Sequence, residues 1–467
     1  MDSTGRAAGW GEILAPQHLA ALVLVCLGPW LHAADALLVT TMMPAIVAGI
    51  GGERLVAWNF ALYEVGSIVA GASAGLVALR YGLRLPMVAA AAAFALGCAV
   101  SAAAPVMEVL LAGRIAQGLG GGGLVSLSFV AVARLFPGPL MPRAMAALAL
   151  VWGASAFLGP LAGGLFVTHA NWRWGFVFFG AQAAGLAVWI GYGLRRLPSA
   201  GAAWEETRLP WRRLALLSLA VLGVATAGIV VSVPAMVSSL IAGLAALAAF
   251  AVLDGRAGVD RLWPAGALDP RGAAGAGIVM VMMTSAATMG LSAYGPLLMD
   301  RIHGTSPLVA GYIVAVISIA WTVAAVLVAG LPERHDPLVI GAGIAMVAAS
   351  VAVAVYAMPE GPLWLIALGA GMEGFGFGMA WTFILRRGET LVDPADHDRF
   401  AATVPTASRL GYALGASFVG ILANRAGFGA GSAPEEAAHV ARAIFGGSLP
   451  IAALAVLAMA RFVTFRR

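Results

Sequence analysis

The sequence contains no lysine and few charged residues of any kind. All 27 basic residues are arginines, aspartate and glutamate total 22, and charged residues occupy only 10% of the 467 positions. Soluble domains carry about 25% charged residues, whereas 61% of this chain is hydrophobic. The composition excludes an ordinary soluble domain and indicates a chain that is embedded in lipid.

Cysteine is also scarce, because Cys26 and Cys98 are the only two in the sequence. Both lie inside apolar runs, which excludes a disulfide framework and favours two small buried hydrophobic residues. No Walker-type phosphate loop is present, so we expect no direct use of ATP and no cofactor or metal. The pI is about 9.7, but the arginines are spread between apolar runs, so we expect no nucleic-acid partner.

Long apolar runs make up most of the chain. A bilayer core of about 30 Å requires roughly 20 apolar residues per helix. Fourteen such runs are present, approximately at 18–48, 56–79, 86–104, 109–134, 144–168, 175–194, 212–231, 233–253, 273–297, 307–330, 337–358, 362–385, 400–424 and 443–463. Runs seven and eight are separated by little more than Ser232 and Pro234, so twelve spans is the alternative. The sequence therefore predicts an all-α membrane protein.

The arginines are distributed unevenly between the two sides of this predicted bundle. With the N-terminus in the cytoplasm, 20 arginines fall in cytoplasmic segments, five in external segments and two within helices. Cytoplasmic segments of membrane proteins are enriched in arginine and lysine. The ratio predicts an even number of spans with both termini in the cytoplasm.

The longest internal loop is polar and follows six predicted helices. It divides the chain into a six-helix bundle at 1–196, a cytoplasmic linker at 197–211, an extra helix pair at 212–260 and a second six-helix bundle at 261–467. We expect the extra pair to lie between the two bundles.

The strongest local motif is GASAFLGPLAGG in the fifth run. Gly153, Gly159, Gly163 and Gly164, together with Pro160, put small residues at three- and four-residue spacing on one helix face. This spacing permits close helix contact, and Pro160 softens the backbone. A generic membrane packing motif is the alternative interpretation. The pattern resembles the antiporter signature of drug–proton antiporters of the major facilitator superfamily.

Further matches to this family occur in order along nearly the whole chain. They are Asp35 with Pro44 in run one, Trp58 and Tyr63 in run two, Arg114, Gln117, Gly118 and Gly120 in run four, the stretch 172–176 after run five, Ser306, Pro307 and Gly311, and Arg409, Gly411 and Gly415. The resemblance implies the major facilitator fold, with two six-helix bundles and the extra pair between them. It also implies a monomer in the bacterial inner membrane that works by alternating access.

One motif departs from the family pattern. The loop between runs two and three reads GLVALRYGLR, in which Gly75, Arg80, Gly82 and Arg84 match a conformational motif. Leu79 stands where the family carries an aspartate that caps a neighbouring helix and latches the cytoplasmic gate. The resemblance therefore implies a weaker latch, or a different partner, on that side.

Ionisable residues inside the runs are candidates for function, because a charge at mid-bilayer costs a few kcal/mol at least. Asp35, Glu64, Arg114 and Glu373 are candidates for proton coupling, and Arg409 is a fifth buried charge. Desolvated carboxylates of this kind can bind and release protons. The resemblance would place Asp35 and Arg114 opposite Glu373 across a central cavity. Structural hydrogen bonding is the alternative for each, and for Glu64 and Arg409 a pairing that holds helices together.

Polarisable and aromatic side chains in the runs indicate a pocket for hydrophobic ligands. The candidates for this pocket are His32, Trp152, Met283, Tyr294, Trp321, Trp381 and Arg409. Core or lipid-facing packing is the alternative for each methionine and tryptophan.

The sequence and the resemblance together predict a secondary transporter. We expect proton-coupled antiport, with efflux of hydrophobic small molecules, cations among them, and partners limited to substrate, protons and membrane lipid. A proton-coupled transporter of a specific metabolite, siderophore, lipid or organic anion is the alternative, with Arg114 and Arg409 as anion contacts. A membrane enzyme finds no support, because no nucleophile or metal-ligand constellation is present.

Overall fold

The computed structural model describes residues 10–136, 140–193, 210–230, 232–258, 261–267, 269–328, 331–429 and 433–465. Within these ranges the chain is helical, with short connecting turns and no strand. The long helices are α1 (Pro16–Ile50), α2 (Val56–Tyr81), α3 (Arg84–Ala103), α4 (Met107–Leu135), α5 (Met141–His169), α6 (Trp172–Gly193), α7 (Trp211–Ile229), α8 (Val233–Gly255), α9 (Ala273–His303), α10 (Pro307–Val328), α11 (Asp336–Glu360), α12 (Leu363–Leu391), α13 (His397–Arg425) and α14 (Pro434–Thr464). One helical turn, Trp10–Ile13, precedes α1.

Each of the fourteen predicted runs lies on one of these helices. Eleven of the described helices are long and apolar enough to cross a membrane by length and hydropathy. The other three, α2, α7 and α13, are also 19 to 29 residues long. The all-α membrane fold is confirmed, and the count of fourteen spans stays a prediction. The linker predicted at 197–211 lies largely outside the described residues.

The two predicted bundles repeat one packing arrangement. In the first, α2 and α3 pack on α4, and α1 packs on α5; in the second, α10 and α11 pack on α12, and α9 packs on α13. Glycines permit these contacts, because a Cβ on Gly118 or Gly122 of α4 would overlap the backbone of α2. Glycine in α4 thus brings the helix backbones together and places the polar side chains of α1, α3 and α4 within reach of one another.

The extra pair lies at the seam between the bundles. α7 packs on α8 and also contacts α2 of the first bundle and α13 of the second. Arg213 Nη1 on α7 lies 2.7 Å from Asp254 Oδ1 on α8, and Trp58 Nε1 on α2 donates to the Ala225 carbonyl on α7 at 2.9 Å. The pair therefore touches both bundles, while the exact domain boundaries stay a prediction.

A charged cluster stabilises the turn between α12 and α13. The Asp396 carboxylate accepts hydrogen bonds from Arg261 at 2.6 and 2.7 Å, from Arg399 at 2.8 Å and from the Ala265 N–H at 3.0 Å. Burial raises the pKa of Asp396, but these hydrogen bonds outweigh it and hold the pKa at about 2. The cluster fixes the segment before α9 against the start of α13.

Candidate functional site

A fully buried ion pair joins α1 to α4. Asp35 is 0% exposed and Arg114 is 1% exposed, and Arg114 Nη1 lies 2.6 Å from Asp35 Oδ2. An ionised side chain at this depth is stable only when it is paired and hydrogen-bonded. The two residues that the sequence singled out on separate runs therefore form one unit.

Gln117, one turn after Arg114 on α4, completes this unit. Its Nε2 lies 3.2 Å from Asp35 Oδ1 and 3.0 Å from Cys98 Sγ on α3, and its Oε1 accepts from Arg114 Nη1 at 3.0 Å. Gly113 permits the contact, because a Cβ there would overlap the α3 backbone. We call Asp35, Cys98, Arg114 and Gln117 the first polar cluster.

The ring of Tyr63 on α2 continues the cluster toward the seam. The guanidinium carbon of Arg114 lies 4.2 Å from the centre of the Tyr63 ring, a cation–π contact. The Tyr63 hydroxyl lies 2.8 Å from His32 Nδ1 and 3.1 Å from the His32 carbonyl oxygen, and the two rings stack. His32 is thereby fixed one turn before Asp35 on α1.

Arg409 on α13 reaches these residues from the second bundle. Its Nη1 lies 3.5 Å from His32 Nε2 and 3.5 Å from Glu64 Oε2 on α2. Arg409 and Glu64 are about one-fifth exposed, so they border open space. The pairing that the sequence offered as the alternative for Glu64 and Arg409 is present, and it joins the two halves. A continuous chain of polar contacts therefore runs from Cys98 to Arg409.

Glu373 lies apart from this chain of contacts. It is 7% exposed and lines a pocket formed by α9, α11, α12 and α14, all of the second bundle. The resemblance implied that Glu373 would face Asp35 and Arg114 across a central cavity, whereas no described residue of the first bundle lines this pocket. Glu373 lies on the predicted helix, and the pocket that it lines lies within the second bundle.

The proposed pocket residues fall into different surroundings. Trp152 is 40% exposed with its ring centre 6.0 Å from that of His32, so it borders the polar chain. Trp321 and Trp381 lie 5.6 Å apart between ring centres and form an aromatic group on α10 and α12. Met283 is partly buried against the second-bundle core. Tyr294 differs, because it is 0% exposed and packs on Phe428, away from open space.

The glycine motif of α5 packs against both bundles. Gly159 and Gly163 face the α1 backbone, and Gly164 faces Leu308 of α10. Pro160 packs near Gly311 of α10. Gly153 differs, because a Cβ at this position would meet no atom within 4 Å. Four of the five motif positions therefore make the close contacts that the spacing predicted.

The motif between α2 and α3 shapes the turn that joins them. Gly82 has a φ of +74°, a conformation that suits glycine, and it ends α2 two residues before α3 begins at Arg84. Arg80 and Arg84 are exposed. Gly75 and Leu79 lie on α2, but their surroundings are outside the described part of the chain, so the effect of Leu79 stays a prediction.

Three members of the polar chain were not predicted as site residues. Gln117 and Tyr63 entered the sequence argument only as motif matches, and Cys98 only as a small apolar residue. The available signal was spacing, because Gln117 follows Arg114 by three residues and so shares its helix face. No comparable signal links Cys98 or Tyr63 to that face, since both lie on other helices.

Known proteins resemble the chain over nearly its full length. The family model described as Major Facilitator Superfamily matches residues 25–385. A probable multidrug-efflux transporter of Mycobacterium tuberculosis is 30% identical over 445 residues, covering 91% of this chain and 92% of that protein. A D-xylose–proton symporter matches with a TM-score of 0.67 and 15% identity, over 96% of this chain and 98% of that one. A bacterial homologue of the human lysosomal transporter Spinster matches with a TM-score of 0.66 and 14% identity, over 96% and 97%. At this low sequence identity, the two structures support only the fold of this chain.

Proposed function

The chain belongs to the major facilitator superfamily and is a transporter rather than an enzyme, and we propose that it exports hydrophobic small molecules, cations among them, in exchange for protons. The observation that carries the proposal is the polar chain that links the buried Asp35–Arg114 pair to Arg409 in the other bundle. The name of the mycobacterial relative, a probable multidrug-efflux transporter, supports the direction and the substrate class.

Proton binding at Asp35 would act on the seam through this chain. A neutral Asp35 no longer balances the charge of Arg114, so the guanidinium loses its strongest partner. Arg114 contacts the ring of Tyr63, and Tyr63 holds His32, which meets Arg409. A change of charge at one buried carboxylate therefore reaches the contact between the two halves.

Glu64 is the second carboxylate of the proposed mechanism. Its pairing with Arg409 crosses the seam, and both side chains are accessible in part. Separation of the halves must break this pair, and a proton on Glu64 lowers the energy of doing so. Glu64 and Asp35 therefore tie protonation to the rearrangement that alternating access requires.

The contacts between the halves support an inward-facing state. Among described residues, the hydrogen bond from Asn424 to the Arg54 carbonyl, the contact of Gly164 with Leu308 and that of Gly420 with Ala57 all lie at the end predicted to be external. The Glu64–Arg409 pair lies deeper. We propose that both termini lie in the cytoplasm, as the arginine distribution predicts, and that the membrane is a bacterial inner membrane, as the family resemblance implies.

The surfaces beside the polar chain suit flat hydrophobic ligands. Trp152 is exposed next to His32, and Trp321 and Trp381 offer further aromatic faces. Aromatic faces attract organic cations as well as apolar molecules. Export of an organic anion finds less support, because Arg114 and Arg409 each already face a carboxylate.

Transport by purified protein in liposomes tests the proposal. Ethidium, a hydrophobic cation, should move against its gradient when a pH gradient is imposed, and an uncoupler should stop it. Asp35→Asn should abolish this movement, and the Asp35→Asn, Arg114→Gln double variant, which removes both buried charges, should fail in the same way while folding. Glu360→Gln is the control, because Glu360 is 52% exposed and distant from the polar chain. Gradient-driven export by Asp35→Asn at the rate of the unmodified protein would overturn the proposal.

A further inference from the structure

The two bundles carry one glycine pattern on matching helices. On α4 the pattern consists of Gly113, Gly118, Gly120 and Gly122, and on α12 of Gly369, Gly374, Gly376 and Gly378. Gln117 and Glu373 each stand directly before the second glycine, and each is the eleventh residue of its helix. The position that carries an amide in the first bundle therefore carries a carboxyl in the second.

The packing around the pattern is the same in both bundles. Gly118 lies against the Tyr63 carbonyl of α2, and Gly374 lies against the Ile317 carbonyl of α10. The next contact, with α3 and α11, matches as well: Gly120 lies against Ala90 and Phe94, and Gly376 lies against Gly343 and Val347. Residues of the two bundles can therefore be paired by position.

This pairing identifies the counterparts of the first polar cluster. Phe94 corresponds to Val347, so Cys98, four residues later, corresponds to Val351. Arg114 corresponds to Ala370 on α12. Gly159 and Gly163 lie against the Ala34 and Leu38 carbonyls of α1, while Gly411 and Gly415 lie against those of Met282 and Ala286 of α9, so Asp35 corresponds to Met283. The counterparts of the cluster are thus Met283, Val351, Ala370 and Glu373.

Three of the four counterparts, Val351, Ala370 and Glu373, line the same pocket. The pocket is therefore the place in the second bundle that the polar cluster fills in the first, with the guanidinium of Arg114 replaced by the methyl of Ala370. No described side chain makes a hydrogen bond or an ion pair with Glu373, although the residue is more than nine-tenths buried. In the second bundle a carboxyl stands at the position of the Gln117 amide, and alanine stands at the position of Arg114.

The other polar side chains of the pocket can only accept hydrogen bonds. The Ser350 hydroxyl donates to the Val347 carbonyl at 2.7 Å, and the Thr288 hydroxyl donates to the Ser285 carbonyl at 3.1 Å. Their protons are used within their own helices, so each offers only oxygen lone pairs to the pocket. Together with Glu373 they present acceptors and a negative charge, a set that suits a cation with N–H donors.

We propose that this pocket binds the guanidinium or primary ammonium head of a transported cation, in the place that the first bundle fills with its own Arg114. Leu291, Ile366 and Phe445 provide apolar walls for the carbon chain behind the head. The proposal rests on the proposed function in that the cation is a substrate of the exporter. It assigns to Glu373 the binding of a ligand rather than the transfer of a proton.

Equilibrium binding tests this assignment without any proton gradient. The full chain in lipid nanodiscs is titrated calorimetrically with hexylguanidinium and with hexylurea, which has nearly the same shape and no charge. The unmodified protein should bind hexylguanidinium at least about tenfold more tightly, the value of one charge-assisted hydrogen bond. Glu373→Gln places the amide of Gln117 at this position and should abolish the difference. Glu360→Gln removes an exposed carboxylate and should retain it.

A second variant tests the correspondence with the first bundle. Ala370→Arg places an arginine where α4 carries Arg114, so the pocket should be filled from within and hexylguanidinium binding should be lost. Equal affinity for the two probes in the unmodified protein, or undiminished preference in Glu373→Gln, would overturn the proposal. A failure of the proposed proton coupling would instead appear as ethidium transport that is insensitive to Asp35→Asn, with the binding preference intact.

Discussion

Removal of one partner of the Asp35–Arg114 pair should destabilise the protein much more than removal of both. Asp35→Asn leaves the Arg114 guanidinium, which is 1% exposed, without its carboxylate hydrogen-bond partner and with the neutral Gln117 Oε1 as an acceptor. Arg114→Gln leaves the Asp35 carboxylate, which is 0% exposed, with a single hydrogen bond from Gln117. Each single change therefore leaves an uncompensated charge inside the bundle.

The magnitudes follow from the burial of both side chains. Breaking a buried pair by removal of one partner costs about 3–5 kcal/mol, whereas replacing both partners by neutral groups of similar volume is often close to neutral. The double variant should therefore be more stable than either single variant, by about 2 kcal/mol or more. The exposed pair of Glu360 and Arg442, 2.7 Å apart, should show a coupling of about 0–1 kcal/mol.

Reversible unfolding of the purified protein in detergent measures both cycles. The two single variants, the double variant and the matching set at Glu360 and Arg442 are compared under one condition. The pH adds a second check, because Arg114→Gln should recover stability as the pH falls and Asp35 takes up a proton, while Asp35→Asn keeps an arginine that cannot be neutralised. If the costs in the buried cycle simply add, so that the double variant is as unstable as the sum of the two single variants, the prediction is wrong.

Three further changes have defined outcomes. Hydrogen bonds hold the pKa of Asp396 at about 2, so the stabilisation that Asp396 contributes should be complete above about pH 4 and should fall as the pH is lowered toward 2. Thermal unfolding of Asp396→Asn should lack this acid-dependent loss of stability. Gly118→Ala should lower the yield of folded protein in size-exclusion chromatography, because its Cβ would overlap the α2 backbone, whereas Gly153→Ala, with nothing within 4 Å, should be tolerated. Arg409→Gln removes the ion pair with Glu64 and should weaken the contact between the two bundles. A thiol reagent should then label a cysteine introduced at the predicted external end faster than in the unmodified protein. An unchanged labelling rate would show that the Arg409–Glu64 pair does not hold the two bundles together.

Hydropathy was sufficient to locate the helices and much less informative about their ends. The run predicted at 400–424 became His397–Arg425, a difference of one to three residues. The run predicted at 443–463 became Pro434–Thr464, because the first turns carry Glu435, Glu436 and other polar residues that continue the helix beyond its apolar part. An apolar run measures the part of a helix in lipid, while backbone hydrogen bonds extend it on both sides.

The partners of the buried charges could not be predicted in the same way. The cost of a charge in lipid was enough to single out Asp35, Glu64, Arg114, Glu373 and Arg409, but each could meet any neighbouring helix. The choice depends on interhelical contacts set by glycine, such as that of Gly113 with α3, which no single helix reveals. Glu373 is an example: its helix was predicted correctly, but the pocket that it lines lies within the second bundle rather than between the two bundles.

The two bundles pack their helices in the same way but carry different charged residues at matching positions, and this difference gives the two sites different roles. The first bundle holds a carboxylate together with its own cation, so its charge is balanced in every state in which Asp35 is ionised. Such a site can respond to a proton without any ligand present. The second bundle holds a carboxyl, Glu373, at the position of Gln117 and alanine at the position of Arg114, so a balanced charge there requires a cation or a proton from outside. An exporter that exchanges protons for cations needs one site of each kind, and the residues at a few matching positions of the two bundles are enough to separate the two kinds.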